Sequence, residues 1–233
     1  MKEHPILFKS DMARAILNCQ PGVWPAEPID PSESWKWQTR RIPTLRNSLI
    51  DGAGHSGKWW TEWWSKLDWD KAWADNGPSP AGNPGPYLHV PYPPDDTVHR
   101  IYPRVQPGDG LWVRESLRKS GAGIVTYAAD ALPVMRQSES VEWPWPLSAR
   151  SSIFMPRWAC RETLEVKAVR VERVRDISED DAGAEGASLP CLSFSWLWDR
   201  INGKRPGCSW AENPWTWVIE FMRLPADHAE GEG

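Results

Sequence analysis

The spacing of apolar and polar residues changes period several times along this chain, and each change predicts an element. His4-Pro5-Ile6-Leu7-Phe8 is a short apolar run of buried-strand length. Ser10 and Asp11 then offer helix N-cap chemistry, and Met12, Ala13, Ile16 and Leu17 recur at i, i+1, i+4, i+5. This helix is expected to stop before Pro21-Gly22, which cannot continue it. Residues 20–34, rich in Pro and acidic side chains, read as an irregular loop. From Lys58 to Trp73, the residues Trp59, Trp60, Trp63, Trp64 and Leu67 fall at helical spacing and predict an amphipathic helix with an aromatic face. Such a face packs on a core or meets a partner. Residues 76–94 hold seven Pro and read as a turn-rich or extended loop.

From Ile101 onward the pattern is that of strands. Gln106-Pro107-Gly108-Asp109-Gly110 signals a turn before the strand Leu111-Trp112-Val113-Arg114-Glu115. Ile124–Ala128 reads as another strand, and 131–150 as loop. Thr163 to Val174 alternates apolar and charged residues, with a phase shift near Ala168 of the kind a bulge produces. Ser178-Glu179-Asp180-Asp181 resembles a capping box with Asp in the Glu position, opening a short helix that carries Ala182, Ala184 and Glu185. Phe194, Leu197, Trp198 and Ile201 stand at i, i+3, i+4, i+7 and predict a further helix, while Trp215–Phe221 is a strong strand signal. Many short strands with few helices suggest an α+β fold, a small closed β-barrel flanked by short helices. The chain reads as one domain over 1–224 with a Trp/Pro-rich insertion at about 43–100, and 225–233 as a disordered acidic tail.

Composition narrows the partners. The 18 Trp read mostly as packing residues, with a few available to stack on bases at half-buried faces. The net charge of −4 argues against a protein that coats a duplex, because phosphate neutralisation requires a basic surface. A pocket for one small ligand is compatible with that charge. The Cys and His residues show no metal-ligand spacing, so neither metal nor cofactor is expected. No secretory leader and no apolar run of membrane-spanning length is evident, which leads us to expect a cytoplasmic protein with reduced thiols.

The densest run of chemistry-bearing side chains is Lys36-Trp37-Gln38-Thr39-Arg40-Arg41. A guanidinium forks onto carbonyls or phosphates, and a lysine in an apolar setting loses its proton and becomes a base. Solvated faces carry such runs too. Glu185, on a short helix, is a surface residue by default. Arg114 and Glu115, charged residues closing an apolar strand, point to solvent or line a cavity.

A resemblance joins these candidates. The N-terminal strand and helix followed by Lys36-x-x-Thr39-x-Arg41 resemble the opening of the ASCH domain family, relatives of the PUA fold. So do Gln106–Glu115, Met155-Pro156-Arg157-Trp158-Ala159, Asp176–Ala182 with Glu185-Gly186, Trp198-Asp199 and Asn213-Pro214-Trp215. Together these blocks cover about 4–18, 35–42 and 101–223, and they are similar to ASCH proteins encoded by bacteriophages and prophages. The resemblance implies a PUA-like barrel whose cleft holds a modified pyrimidine nucleoside or a single-stranded or structured RNA. A small bacterial ASCH amidohydrolase removes the acyl group of N4-acetylcytidine with a Lys, a Thr and a Glu, which match Lys36, Thr39 and Glu185. The resemblance therefore implies Lys36 as base towards Thr39 or a water, and Glu185 as the proton shuttle to the leaving amine. Gln38, Arg41, Arg114 and Glu115 are the candidate ligand contacts. The alternatives are a non-catalytic reader of RNA or a modified base, and a phage-associated interaction module built on the Trp-rich helix.

Overall fold

The computed structural model describes residues 2–8, 10–24, 27, 29, 36–44, 48–50, 58–79, 82, 85–185 and 192–225. Most of the loop at 20–34 and of the acidic tail lies outside them, as do the side chains of Ser10, Asp11, Trp59 and Trp60.

The chain opens with β1 (Glu3–Leu7) and α1 (Ser10–Leu17), crosses to β2 (Gln38–Arg41), and enters the insertion with β3 (Ser48–Ile50), α2 (Lys58–Ser65), β4 (Trp73–Asp75), β5 (Tyr87–Tyr92) and β6 (Thr97–Pro103). It continues through β7 (Gly110–Arg114), β8 (Leu117–Lys119), β9 (Val125–Tyr127), β10 (Met135–Arg136), β11 (Glu139–Ser140) and β12 (Ala149–Arg150). The last elements are β13 (Thr163–Arg173), α3 (Glu179–Ala184), α4 (Leu192–Asn202) and β14 (Trp215–Arg223).

The α+β class is what the structure has. Its central sheet has five strands in the order β1-β7-β13-β14-β2. β14 lies second from one edge, and Trp217, Val218, Ile219 and Phe221 are all buried without alternation, as in a strand covered on both faces. The phase shift near Ala168 is a register shift between Val166 and Ala168 on the long β13–β14 ladder. Gly108 holds a positive φ in the turn before β7 and donates its N–H to the Val166 carbonyl, so turn and bulge meet.

The closed barrel expected from the strand pattern is not formed by this pairing. β1 and β2 are the two edges of the central sheet, and the other strands form separate sheets. Between these two edges a side chain stands in for the ladder, since Arg41 Nη2 on β2 donates to the Leu7 carbonyl on β1 at 2.9 Å.

The insertion is more regular than its proline content predicts. Instead of a long loop it forms a four-stranded sheet, β3-β6-β5-β4. Pro91 sits within β5 beyond the reach of β4, where no ladder N–H is required, and its carbonyl accepts from Asp68 N at 2.9 Å. The predicted helix is shorter than its apolar spacing, because the chain turns after Ser65 and re-enters as β4 at Trp73. Of its aromatic residues with described side chains, Trp63 packs inward, buried with Leu67 beyond the helix end in one cluster with Ile6, Ile16, Val166 and Trp217 of the central sheet and α1. Trp217 Nε1 also donates to Ser48 Oγ at 3.1 Å, tying β14 to the insertion. The region read as loop at 131–150 carries the short strands β10, β11 and β12 beside a satellite core of Leu117, Val125, Tyr127, Val134, Met155 and Ala159. Among the described residues no helix is long and apolar enough to cross a membrane.

Candidate active site

Lys36 and Glu185, 149 positions apart, meet through backbone clamps on each side. Lys36 N donates to the Ala15 carbonyl of α1, Trp37 N donates to the Ala184 carbonyl of α3, and Phe221 N donates to the Trp37 carbonyl. β2 then continues against β14, with Thr39 opposite Ile219 and Arg41 opposite Trp217. On the other side, Ser178 caps α3 by accepting from Asp181 N at 3.1 Å, the Ser-to-Asp variant of the capping box that the sequence predicts. Six residues later the helix ends, and Glu185 stands at its C-cap.

Lys36 Nζ donates to the backbone carbonyl of Glu185 at 2.8 Å and to its carboxylate Oε2 at 2.7 Å. One ammonium thus satisfies an orphan carbonyl at the helix end, where positive charge is favoured, and fixes the side chain leaving from the same residue. Lys36 is 1% exposed and Glu185 5%. Burial pushes the Lys36 ammonium below the ordinary lysine range, against the pull of Glu185, and the neighbouring Arg41 and Arg40 add to the lowering.

The second carboxylate oxygen, Oε1, accepts from Arg40 Nη1 at 3.3 Å. Arg40 Nη2 reaches Asp181 Oδ2 at 2.9 Å and Glu172 Oε2 at 3.0 Å, and Arg170 binds the same two carboxylates and Glu220. Burial raises the affinity of Asp181 for a proton, but Arg40 and Arg170 outweigh it and hold this carboxyl below its usual value. Sequence reasoning met Arg40 only as part of the basic run and Asp181 only as part of a helix cap, and it passed over Arg170 and Glu172. The i, i+2 spacing of Arg170 and Glu172 on a strand places them on one face, a signal too common to single out.

A cavity of about 510 Å³ opens at this point, in the gap between the unpaired edges of β1 and β2. Thr39, Arg40, Arg41 and Glu185 supply its polar wall, and Phe8 and the α4 stripe of Phe194, Leu197, Trp198 and Ile201 its apolar wall. The predicted face of α4 is therefore partly a cavity lining. The Arg41 guanidinium lies 5.3 Å from the Phe8 ring centroid, and burial lowers its basicity against the pull of Glu185. An apolar slot with convergent donors and one carboxylate can hold a flat heterocycle with polar edges and move a proton at one of them.

The seven sequence candidates thus divide. Lys36, Thr39, Arg41 and Glu185 come together. Gln38 is fully buried, accepts from Arg170 Nη2 at 3.3 Å, and does not line the cavity. Arg114 donates to the carbonyls of Ile153 and Met155 and stacks 5.1 Å over Trp112, pinning the segment after β12. Glu115 is buried in a fork with Arg161, at 2.8 Å for each bond, and Arg161 reaches on to Asp130. Ser116, Ser151 and Ser152, which the sequence did not mark, line the cavity where those three do not. Among the described residues no group of three or more His, Cys, Asp or Glu is placed to hold a metal ion.

No family model, curated protein or solved structure matches this chain.

Proposed function

We propose that this cavity binds a modified pyrimidine nucleoside and that Lys36, Thr39 and Glu185 hydrolyse an N4-acyl amide of cytidine bound there. The carrying observation is the meeting of Lys36 and Glu185 at 2.7 Å behind a cavity that Thr39 and Glu185 line. These are the three residues that the ASCH resemblance marks. In the proposed reaction, neutral Lys36 accepts the proton of the oxygen nucleophile, the Thr39 hydroxyl or a water beside it. That oxygen bonds to the acyl carbon, Lys36 hands the proton it took to the Glu185 carboxylate across their 2.7 Å contact, and the bond between the acyl carbon and N4 breaks as Glu185 passes that proton to the departing N4. Water completes the hydrolysis, leaving cytidine and a carboxylic acid. Arg41 and the serines across the cavity are placed to contact the polar edge of the ring.

One observation favours the reading as a non-catalytic reader of the same ligand. Lys36 does not itself line the cavity, and it donates to two oxygens of Glu185. Release of cytidine from N4-acetylcytidine separates the two readings. Wild type is expected to turn the nucleoside over, and Lys36→Ala and Glu185→Ala, checked for folding by circular dichroism, are expected to lose that turnover. Binding without turnover by folded wild type would leave the reader, and neither binding nor turnover would remove both.

A further inference from the structure

A second cavity, of about 1090 Å³, adjoins the first. Ile42, Thr44 and Arg205 line both, so the two volumes share a wall at the exit of β2. The far walls come largely from the insertion and from the start of β14: Trp64, Trp69 and Trp215 supply indoles, and Arg173 closes one side. Trp64 and Trp69 lie with ring centroids 5.1 Å apart. Arg173 stacks 4.2 Å from the Trp215 centroid, and its guanidinium donates to the Asn213 carbonyl at 3.1 Å and the Asp70 carbonyl at 3.4 Å. The guanidinium that fixes this aromatic wall is thus already engaged.

Two further donors stand at these walls. Trp215 Nε1 is buried and has no acceptor among the described residues. The Arg205 guanidinium stands at the shared wall on an exposed residue. Acidic side chains are present as well. Asp68 is paired with Lys71 at 3.4 Å, Glu212 is bonded by the N–H groups of Gly207 and Ser209, and Asp70 is open. This balance suits a ligand with flat, polar-edged rings and a single anionic link between the two cavities. It does not suit one with a row of phosphates.

Resting on the reading of the first cavity as a cytidine site, we propose that the substrate is a residue within single-stranded RNA rather than a free nucleoside. The modified base enters the first cavity, the phosphodiester beside it meets Arg205, and the neighbouring base enters the second cavity against Trp64, Trp69 and Trp215. Base-on-indole stacking is the main source of affinity in such a site, because every base has a flat face.

The test compares two probes, free N4-acetylcytidine and a five-nucleotide single-stranded RNA with N4-acetylcytidine at its centre. Wild type is expected to prefer the RNA by about 5- to 150-fold in kcat/KM, the effect of one base–aromatic stack. Trp69→Ala, which changes only the second cavity, is expected to lose that preference while keeping its rate on the nucleoside. Trp69→Phe, which retains a flat ring, is expected to keep both. Arg205→Ala is expected to flatten the log–log salt dependence of RNA binding by about 0.7, the effect of one phosphate on a single strand. Equal kcat/KM on both probes, or equal losses on both in Trp69→Ala, would overturn the proposal. If neither probe is turned over, the hydrolytic reading fails separately. Fluorescence anisotropy of the labelled RNA then decides, with Trp69-dependent binding supporting the second cavity and no such dependence overturning it.

Discussion

Glu115 and Glu185 are both buried carboxylates held by cations, and their surroundings make them opposites. Glu115 receives a two-bond fork from Arg161, which continues to Asp130 and lies with its guanidinium 3.8 Å from the Tyr127 ring centroid. The Glu115 side chain is buried beneath the partly exposed Arg161, and neither residue lines the two cavities described above. Glu185 receives one bond from Lys36 and a longer one from Arg40, and it lines a cavity. Its partner is a lysine, whose proton can leave, where Glu115 has an arginine, whose proton cannot. A buried ion pair is therefore weak evidence of chemistry; a titratable partner and an open side are what separate the two.

The sharpest way to break this comparison is to remove one charge at each position while keeping shape. Glu185→Gln is expected to lower the deacylation rate by about 10²- to 10⁴-fold, the range of general acid–base catalysis. Glu115→Gln is expected to leave the rate per folded molecule unchanged. Rates normalised to the folded fraction check this, and equal losses at both positions would remove the distinction. Next in size is stability. Glu115→Ala leaves the partly exposed Arg161 without its main partner and is expected to cost up to about 3 kcal/mol in urea unfolding. Arg161→Ala should cost a similar amount, and the double variant much less than the sum of the two.

The smallest effect is a dependence on pH, and its sign is fixed. Burial lowers the folded-state pKa of Lys36 below the ordinary lysine value of 10.5. The rate is therefore expected to rise with pH as Lys36 loses its proton and then to level off below that value. Lys36→Arg, which cannot deprotonate, should show no such rise. Stability follows the same direction. Between the lowered pKa and 10.5 the unfolded chain binds more protons, so the Lys36 contribution to stability grows with pH, by at most about 1.4 kcal/mol per unit. The difference between wild type and Lys36→Met across that window measures it, and a falling difference would refute the assignment.

Local signals in the sequence carried the elements well wherever the cause was local. The β13 bulge near Ala168, the Ser178 cap, the turn at Gly108 and the α4 stripe are each written in a few adjacent residues. The insertion sheet was not legible, because proline content argues against strands and says nothing of an edge position where a missing N–H costs nothing. The open gap between β1 and β2 was also hidden, since closure depends on which edges meet. At the site, residue types marked only the Lys36–Arg41 run, and the ASCH resemblance, not any local pattern, singled out Lys36, Thr39 and Glu185. The same reasoning could not separate Arg114 and Glu115 from them, because what distinguishes these is whether space remains beside the charge. The role of Arg40 within its run, and Arg170 altogether, went unnoticed, as their partners lie on other strands and on α3.

The separation of Lys36 from Glu185 by 149 positions also has a consequence in time. A ribosome adding about 5–20 residues per second needs roughly 7–30 s to go from one to the other. Through that interval Lys36 is an ordinary solvated amine on a growing chain, and nothing about it is reactive. The pair closes only after α3 has been made and capped, and β14, against which β2 aligns, comes later still. The proposed reactive centre is thus among the last features of the molecule to exist, and an interrupted chain carries the lysine without its carboxylate partner.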